Sequence, residues 1–116
     1  MAEARRLKIK AQLLVGDEIA FGPGKADLLE WVDRSGSISA AAKGMGLSYR
    51  RAWVMIDTMN RCFGRPVVAT AHGGAKGGGA ALTAEGRAAL AAYRALQSDL
   101  TKAASKAETA LLTALR

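Results

Sequence analysis

The chain opens on an alternation. In LKIKAQLLV, Leu7, Ile9, Ala11, Leu13 and Val15 fall on one side, and Lys8, Lys10 and Gln12 on the other. A period of two predicts a strand with one wet face. Gly16-Asp17 then turns a tight hairpin into EIAF. GPG at 22–24 ends that strand before a helix over roughly 25–35, whose Leu28, Leu29 and Val32 share a face.

From Ser37 the period changes. Ser37 is a good N-cap, and Ile38, Ala41, Ala42 and Met45 recur at i, i+3, i+4 and i+7. Gly46 supplies the positive φ that stops a short helix, and Ser48 caps the next one. There Ala52, Ile56, Met59 and Phe63 stack on one face with Trp53 beside them, while Arg50, Val54, Asp57 and Arg61 point the other way. Two helices joined by a short glycine-containing turn form a helix-turn-helix, and the small alanines allow a close, steep crossing. Trp31 and Trp53 are expected to pack in the core or at its edge rather than to stack on bases.

Two short apolar segments follow, RPVVATAH and GAALT, on either side of a stretch with five glycines and Lys76 between Gly73 and Gly79. A phosphate-binding loop needs a strand, then G-x-x-x-x-G-K-[ST], then a helix. Lys76 is followed by Gly77, and a second strand comes next, so both requirements fail. The segment reads as a wing, a hairpin whose glycines let its backbone lie close to a sugar-phosphate strand. From the N-cap Thr83 the chain runs to its end as one helix of about 30 residues, about 45 Å long. Tyr93, Leu96, Leu100, Ala103, Ala107 and Leu111 make a stripe along it that nothing in the same chain covers, which predicts a dimerisation helix. The expected fold is mainly α with small β. It is a single winged helix-turn-helix domain over 1–116, with an N-terminal hairpin (1–23), a three-helix core (24–64), a wing (65–83) and a long dimerisation helix (84–116).

Composition adds direction. No apolar run approaches the ~20 residues of a membrane span, and MAEARRLKIK lacks the apolar core of a signal peptide, so a cytoplasmic protein without a membrane partner is expected. One cysteine, Cys62, and one histidine, His72, make neither a disulfide nor a metal cluster, and Cys62 is expected to be a buried thiol. Asp27, Glu30 and Asp33 follow a spacing of three and are expected to point to solvent. With no nucleophile or histidine near them there is no catalytic constellation, so no enzyme, no cofactor and no metal are expected.

Charge is distributed unevenly. Residues 1–33 net −1 and residues 85–116 net +2, whereas 34–84 carry seven Lys/Arg (Arg34, Lys43, Arg50, Arg51, Arg61, Arg65, Lys76) against Asp57 alone, a net of +6. A segment this one-sided repels itself, and a polyanion relieves that repulsion. Arg50 and Arg51 lie just after the Ser48 cap, in the first turn and against the helix macrodipole, at about 0.3–1 kcal/mol each when exposed. A recognition helix enters the major groove by its N-terminal end, where DNA gives such arginines a partner.

SGSISAAAKGMGLSYRRAWVMIDTMN, followed by GGAKGGGAALTAEG, resembles the DNA-binding domain of the molybdate-responsive ModE regulators, and more loosely the LysR-type helix-turn-helix. The likeness covers roughly residues 25–95. It implies a homodimer, formed through the N-terminal strand and the long last helix, that binds double-stranded operator DNA and regulates transcription. By position, Ser37 and Ser39, with Lys43 on the same helix, open the motif. Ser48, Tyr49, Arg50 and Arg51 face the major groove. The wing segment with His72, Gly73, Gly74, Lys76 and Gly77 lies along the backbone. Two departures stand out: Ala69-Thr70 occupy wing positions where charge is expected, and 116 residues leave no room for a molybdate-binding domain. Such a module is constitutive, is controlled by a separate effector-sensing protein, or senses through its dimer cleft. A second reading keeps the winged-helix shape as a protein-interaction module that does not read DNA.

Overall fold

A computed structural model describes residues 3–71 and 79–116. The elements are β1 (Leu13–Val15), β2 (Glu18–Phe21), α1 (Pro23–Ser35), α2 (Ile38–Gly44), α3 (Tyr49–Phe63), β3 (Val68–Ala71), β4 (Gly79–Leu82) and α4 (Ala84–Ala114). Two antiparallel pairs, β1-β2 and β3-β4, flank three short helices, and the 31-residue α4 runs out from them. The molecule measures 58 × 35 × 23 Å. The wing strands pair from Val68↔Leu82 to Ala71↔Gly79. The segment between them, with His72, Gly73, Gly74, Lys76 and Gly77, lies outside the described residues.

Local chemistry sets most boundaries. Gly16, at φ 59°, takes the first position of the two-residue turn between β1 and β2. Pro23 occupies the first turn of α1, where its missing N–H has no helical partner to lose. The Ser37, Ser48 and Thr83 hydroxyls accept the N–H groups of Ala40 (3.1 Å), Arg51 (3.0 Å) and Gly86 (3.0 Å). All three expected N-caps form.

The core sits where α1 meets the other elements. Ala26, Leu28, Leu29 and Val32 of α1 are fully buried against Ala41 and Ala42 of α2 and Ala52, Ile56 and Met59 of α3. Each of the larger side chains contributes about 1.5–3 kcal/mol by burial. Phe21 closes one end, edge to face with Tyr93 at 5.2 Å and with Phe63 at 5.9 Å.

Several expectations change. Only Leu13–Val15 of the alternating segment forms a strand; residues 3–12 run without regular structure along α4. Tyr93 donates to the Ala11 carbonyl (2.8 Å), the Leu7 N–H reaches Glu108 Oε2 (3.3 Å), and Arg5 reaches the carbonyl of Arg116 (3.0 Å). Lying on a helix, this segment has no strand beyond β2 to continue the ladder. Tyr93, read as part of an uncovered stripe, is instead buried within its own chain. Asp27, Glu30 and Asp33 do not simply face water. Arg94 pairs with Asp27 (2.8 Å) and Glu30 (3.3 Å), and Arg87 pairs with Asp33 (3.0 Å), so the acidic face of α1 grips α4. Trp31 is 41% exposed, its ring lying over Gly44, and Cys62 is half-buried rather than buried.

The wing root is the tightest junction. Asn60 Oδ1 accepts the Val67 N–H (2.8 Å), the Val67 carbonyl accepts the Thr83 N–H (3.0 Å), and Thr83 donates to the Pro66 carbonyl (2.7 Å). A Cβ on Gly86 would stand 2.1 Å from the Val67 carbonyl oxygen, a backbone atom that these bonds hold in place. Gly86→Ala is therefore expected to destabilise the protein by about 1–3 kcal/mol, lowering the melting temperature by roughly 10 °C. Thermal unfolding followed by circular dichroism checks this, and an unchanged melting temperature would show that the junction gives way freely.

Candidate nucleic-acid interface

The α2–α3 pair is joined through a turn built by backbone geometry. Gly46 takes φ 70°, and the Leu47 N–H returns to the Ala42 carbonyl at 2.8 Å. With Ala41, Ala42 and Ala52 at 0–2% exposure, the two helices approach with little side-chain bulk between them. The outer part of α3 then projects beside the wing root. Ser37, Ser39, Tyr49 and Trp53 line a notch of about 240 Å³ with Thr70, Ala71, Gly79 and Ala80.

The structure thus brings together Ser37, Ser39 and Tyr49 from the expected set, with Ser48, Arg50 and Arg51 on the adjoining first turn of α3. Ser39, Lys43, Ser48, Tyr49, Arg50 and Arg51 are exposed. The hydroxyls of Ser37 and Ser48 already cap helices, so their first role is to aim α2 and α3. Trp53, expected at the core edge, is 36% open, and its neighbour Val54 is 49% open. Periodicity put Trp53 beside the buried face without saying how far it projects. Val54 was legible as an outward residue, and its apolar character there is the overlooked signal.

Pairing divides the basic middle third. Arg34 pairs with Glu30 (3.2 Å). Arg61 makes a bidentate contact with Glu18 of β2, at 2.6 and 2.8 Å. Lys43, Arg50, Arg51 and Arg65 have no acidic partner within ion-pair distance among the described residues. Burial pushes the Lys25 ammonium below its ordinary pKa, and the positive charge of Arg51 adds to the shift.

Across the molecule, β1, β2 and the start of α4 frame a second concavity of about 270 Å³, lined by Ala11, Leu13, Phe21, Phe63, Tyr93 and Leu96 among others. Leu13, Leu14 and Val15 are each about half exposed beside it. Further along α4, Leu96, Ala103, Ala107 and Leu111 are exposed, while Leu100 is half-buried under the N-terminal segment. No group of three or more His, Cys, Asp and Glu among the described residues is arranged to hold a metal, and no helix among them is long and apolar enough to cross a membrane.

No family model matches the chain. It is 45% identical over 84 residues to the molybdenum transport protein ModE of Azotobacter vinelandii, covering 72% of this chain and 31% of that protein. It is 41% identical over 96 residues to the DNA-binding transcriptional dual regulator ModE of Escherichia coli K12, covering 83% and 37%. The chain folds as a winged helix-turn-helix and is similar to the ModE regulators. The molybdenum-pterin-binding protein MopB of Rhodobacter capsulatus is also similar, 44% identical over 91 residues, covering 78% of this chain and 34% of that protein. The chain spans about a third of the length of these relatives. Among solved structures, the CbnR_DBD–DNA complex superimposes with a TM-score of 0.58 at 19% identity, over 76% of this chain and 95% of that one. That likeness is one of fold.

The Glu18–Arg61 contact ties the hairpin to α3, and it titrates. The hydrogen bonds from Arg61 hold the Glu18 carboxylate at about 2, against an ordinary 4.5, with Lys25 and the Cys62 thiol as its other neighbours. A depressed folded pKa means that the contact stabilises fully above pH 4.5 and is lost as pH falls towards 2. Wild type is expected to exceed Glu18→Gln in urea midpoint at neutral pH, with the gap closing across that window. A gap that persists unchanged at pH 2 would assign the difference to packing instead.

Proposed function

We propose that the chain binds duplex DNA as a homodimer and regulates transcription. The recognition helix α3 would enter the major groove and the Gly-rich wing would lie along the backbone. One observation carries the reading: Arg50 and Arg51 stand exposed on the first turn of α3, without an acidic partner among the described residues, on the helix whose Tyr49 and Trp53 flank the wing root. A helix N-terminus disfavours two cations unless an anion faces them, and the phosphates and guanine edges of a major groove supply that anion and the acceptors. The name of the Escherichia coli relative, a DNA-binding transcriptional dual regulator, agrees with this reading. Ser39 and Lys43 on α2 and Tyr49 on α3 complete the proposed contact surface. Lys76, with His72, Gly73, Gly74 and Gly77, would meet the backbone from the wing.

Dimerisation follows from apolar surface. Leu96 and Leu111 of α4, and Leu13, Leu14 and Val15 of β1, are 43–59% exposed. Contiguous apolar surface of this kind marks a partner site, and a second copy packing α4 against α4 would cover Leu96, Ala103, Ala107 and Leu111. Two-fold symmetry then asks for palindromic half-sites one helical turn apart or a multiple of it. The full chain is expected to sediment as a dimer at about 10–50 μM, the range of ordinary association assays. Changing both Leu96 and Leu111 to Asp is expected to give folded monomers with weak binding. A monomeric wild type would remove the dimer.

The division of labour on DNA is tested by titration at several salt concentrations. Arg50→Ala or Arg51→Ala is expected to cost about 1–3 kcal/mol on a selected site and far less on random DNA. Lys76→Ala is expected to weaken both alike and to flatten the salt dependence by about one unit of slope. Should none of the three alter binding, the surface does not read DNA and a protein-interaction role replaces this function.

A further inference from the structure

Three large apolar side chains stand exposed on α3 where it projects furthest: Tyr49, Trp53 and Val54, with 55%, 36% and 49% of their surface open. The core does not need them there, since Ala52, Ile56 and Met59 supply the buried face of the same helix. Tyr49 and Trp53 meet edge to face at 6.2 Å and form one wall of the 240 Å³ notch, which the start of α2 and the wing root complete. Val54 lies one turn beyond Arg50 on the outward side. The patch is apolar at its centre and cationic at its N-terminal edge, where Arg50 and Arg51 follow Tyr49 directly, while Asp57 stands one turn beyond Trp53 at the other edge.

Apolar surface rimmed by charge marks a contact, and the charge here calls for a polyanion. A major groove presents donors and acceptors on every base pair, but its one apolar group is the C5-methyl of thymine. We infer that Tyr49, Trp53 and Val54 read thymine methyl groups, making them specificity-determining residues beside the arginines. Arg50 and Arg51 hold the phosphates or guanine edges that bring the groove within reach. The notch beside Trp53 admits a methyl group, and Val54 meets another along the same groove. This deepens the DNA-binding reading above and rests on it.

Deoxyuridine isolates the methyl group, because it leaves every hydrogen-bonding atom of thymine in place. A duplex site is first selected from a random library by the full chain, and each thymine is then replaced in turn by deoxyuridine. At least one replacement is expected to weaken wild-type binding about four-fold, the value of one buried methyl-sized group. Tyr49→Ala, Trp53→Ala and Val54→Ala are measured on the same pair of duplexes, with thermal melting to confirm folding. Val54 is half exposed, so its variant keeps the test open if either aromatic change disturbs the fold. At least one folded variant is expected to bind the thymine and uracil forms alike.

If a site is selected but no replacement matters, the inference falls and the DNA-binding reading stands. The same holds if all three variants keep the thymine preference while losing affinity, which would place the side chains against sugar or phosphate. If no sequence is enriched above random DNA, sequence reading itself fails and the inference goes with it.

Discussion

Helix α1 is gripped on two faces by different forces, and the rest of the structure depends on that division. Its apolar face, Ala26, Leu28, Leu29 and Val32, has no contact with solvent and holds α2 and α3 in their crossing. Its acidic face, Asp27, Glu30 and Asp33, holds the arginines of α4. The first grip is the stronger: burial of a large aliphatic side chain contributes about 1.5–3 kcal/mol, whereas an exposed ion pair contributes about 0.2–1 kcal/mol. The ion pairs orient more than they stabilise. They set the long helix against the core that carries the helix-turn-helix, so the proposed reading head and the proposed dimer helix share one rigid element.

The same pairing explains where positive charge is left over. Arginines near an acidic neighbour, Arg34, Arg61, Arg87 and Arg94, are engaged within the chain. Those on the first turn of α3 are not. The acidic residues of α1 and β2 are taken up by these pairs, the first turn of α3 carries no acidic residue, and this local imbalance makes the surface a partner for a polyanion. A uniform scatter of the same residues would carry the same net charge and no such preference.

Exposed apolar surface appears in two regions with different chemistry around it. On α3 it is rimmed by arginine and small enough to meet a groove edge. On β1 and the outer length of α4 it forms an extended strip of leucine, valine and alanine, suited to a second helix. The Glu18–Arg61 contact joins the hairpin, through β2, to the last turn of α3.

Much of this was legible in the chain. Capping residues, glycine stops and the 3.6-residue period set α1 to α4, because they act within a turn or two of backbone and need no distant partner. The wing followed from two apolar segments around glycine, and the candidate site followed from Ser48, Arg50 and Arg51 at a helix start. What tertiary structure alone decided was what each exposed face meets. The alternation of residues 7–15 fits a strand, yet most of that segment lies along α4, since a strand needs a neighbouring edge and residues 3–12 find a helix instead. Asp27, Glu30 and Asp33 read as solvated because their partners on α4 are more than 50 residues away. Tyr93 looked like seam and proved to be core, because Phe21 and the Ala11 carbonyl reach it only after the chain has folded back. Periodicity says which side of a helix a residue occupies. The chain that comes to lie on that side is chosen by long-range packing, and no local pattern encodes it.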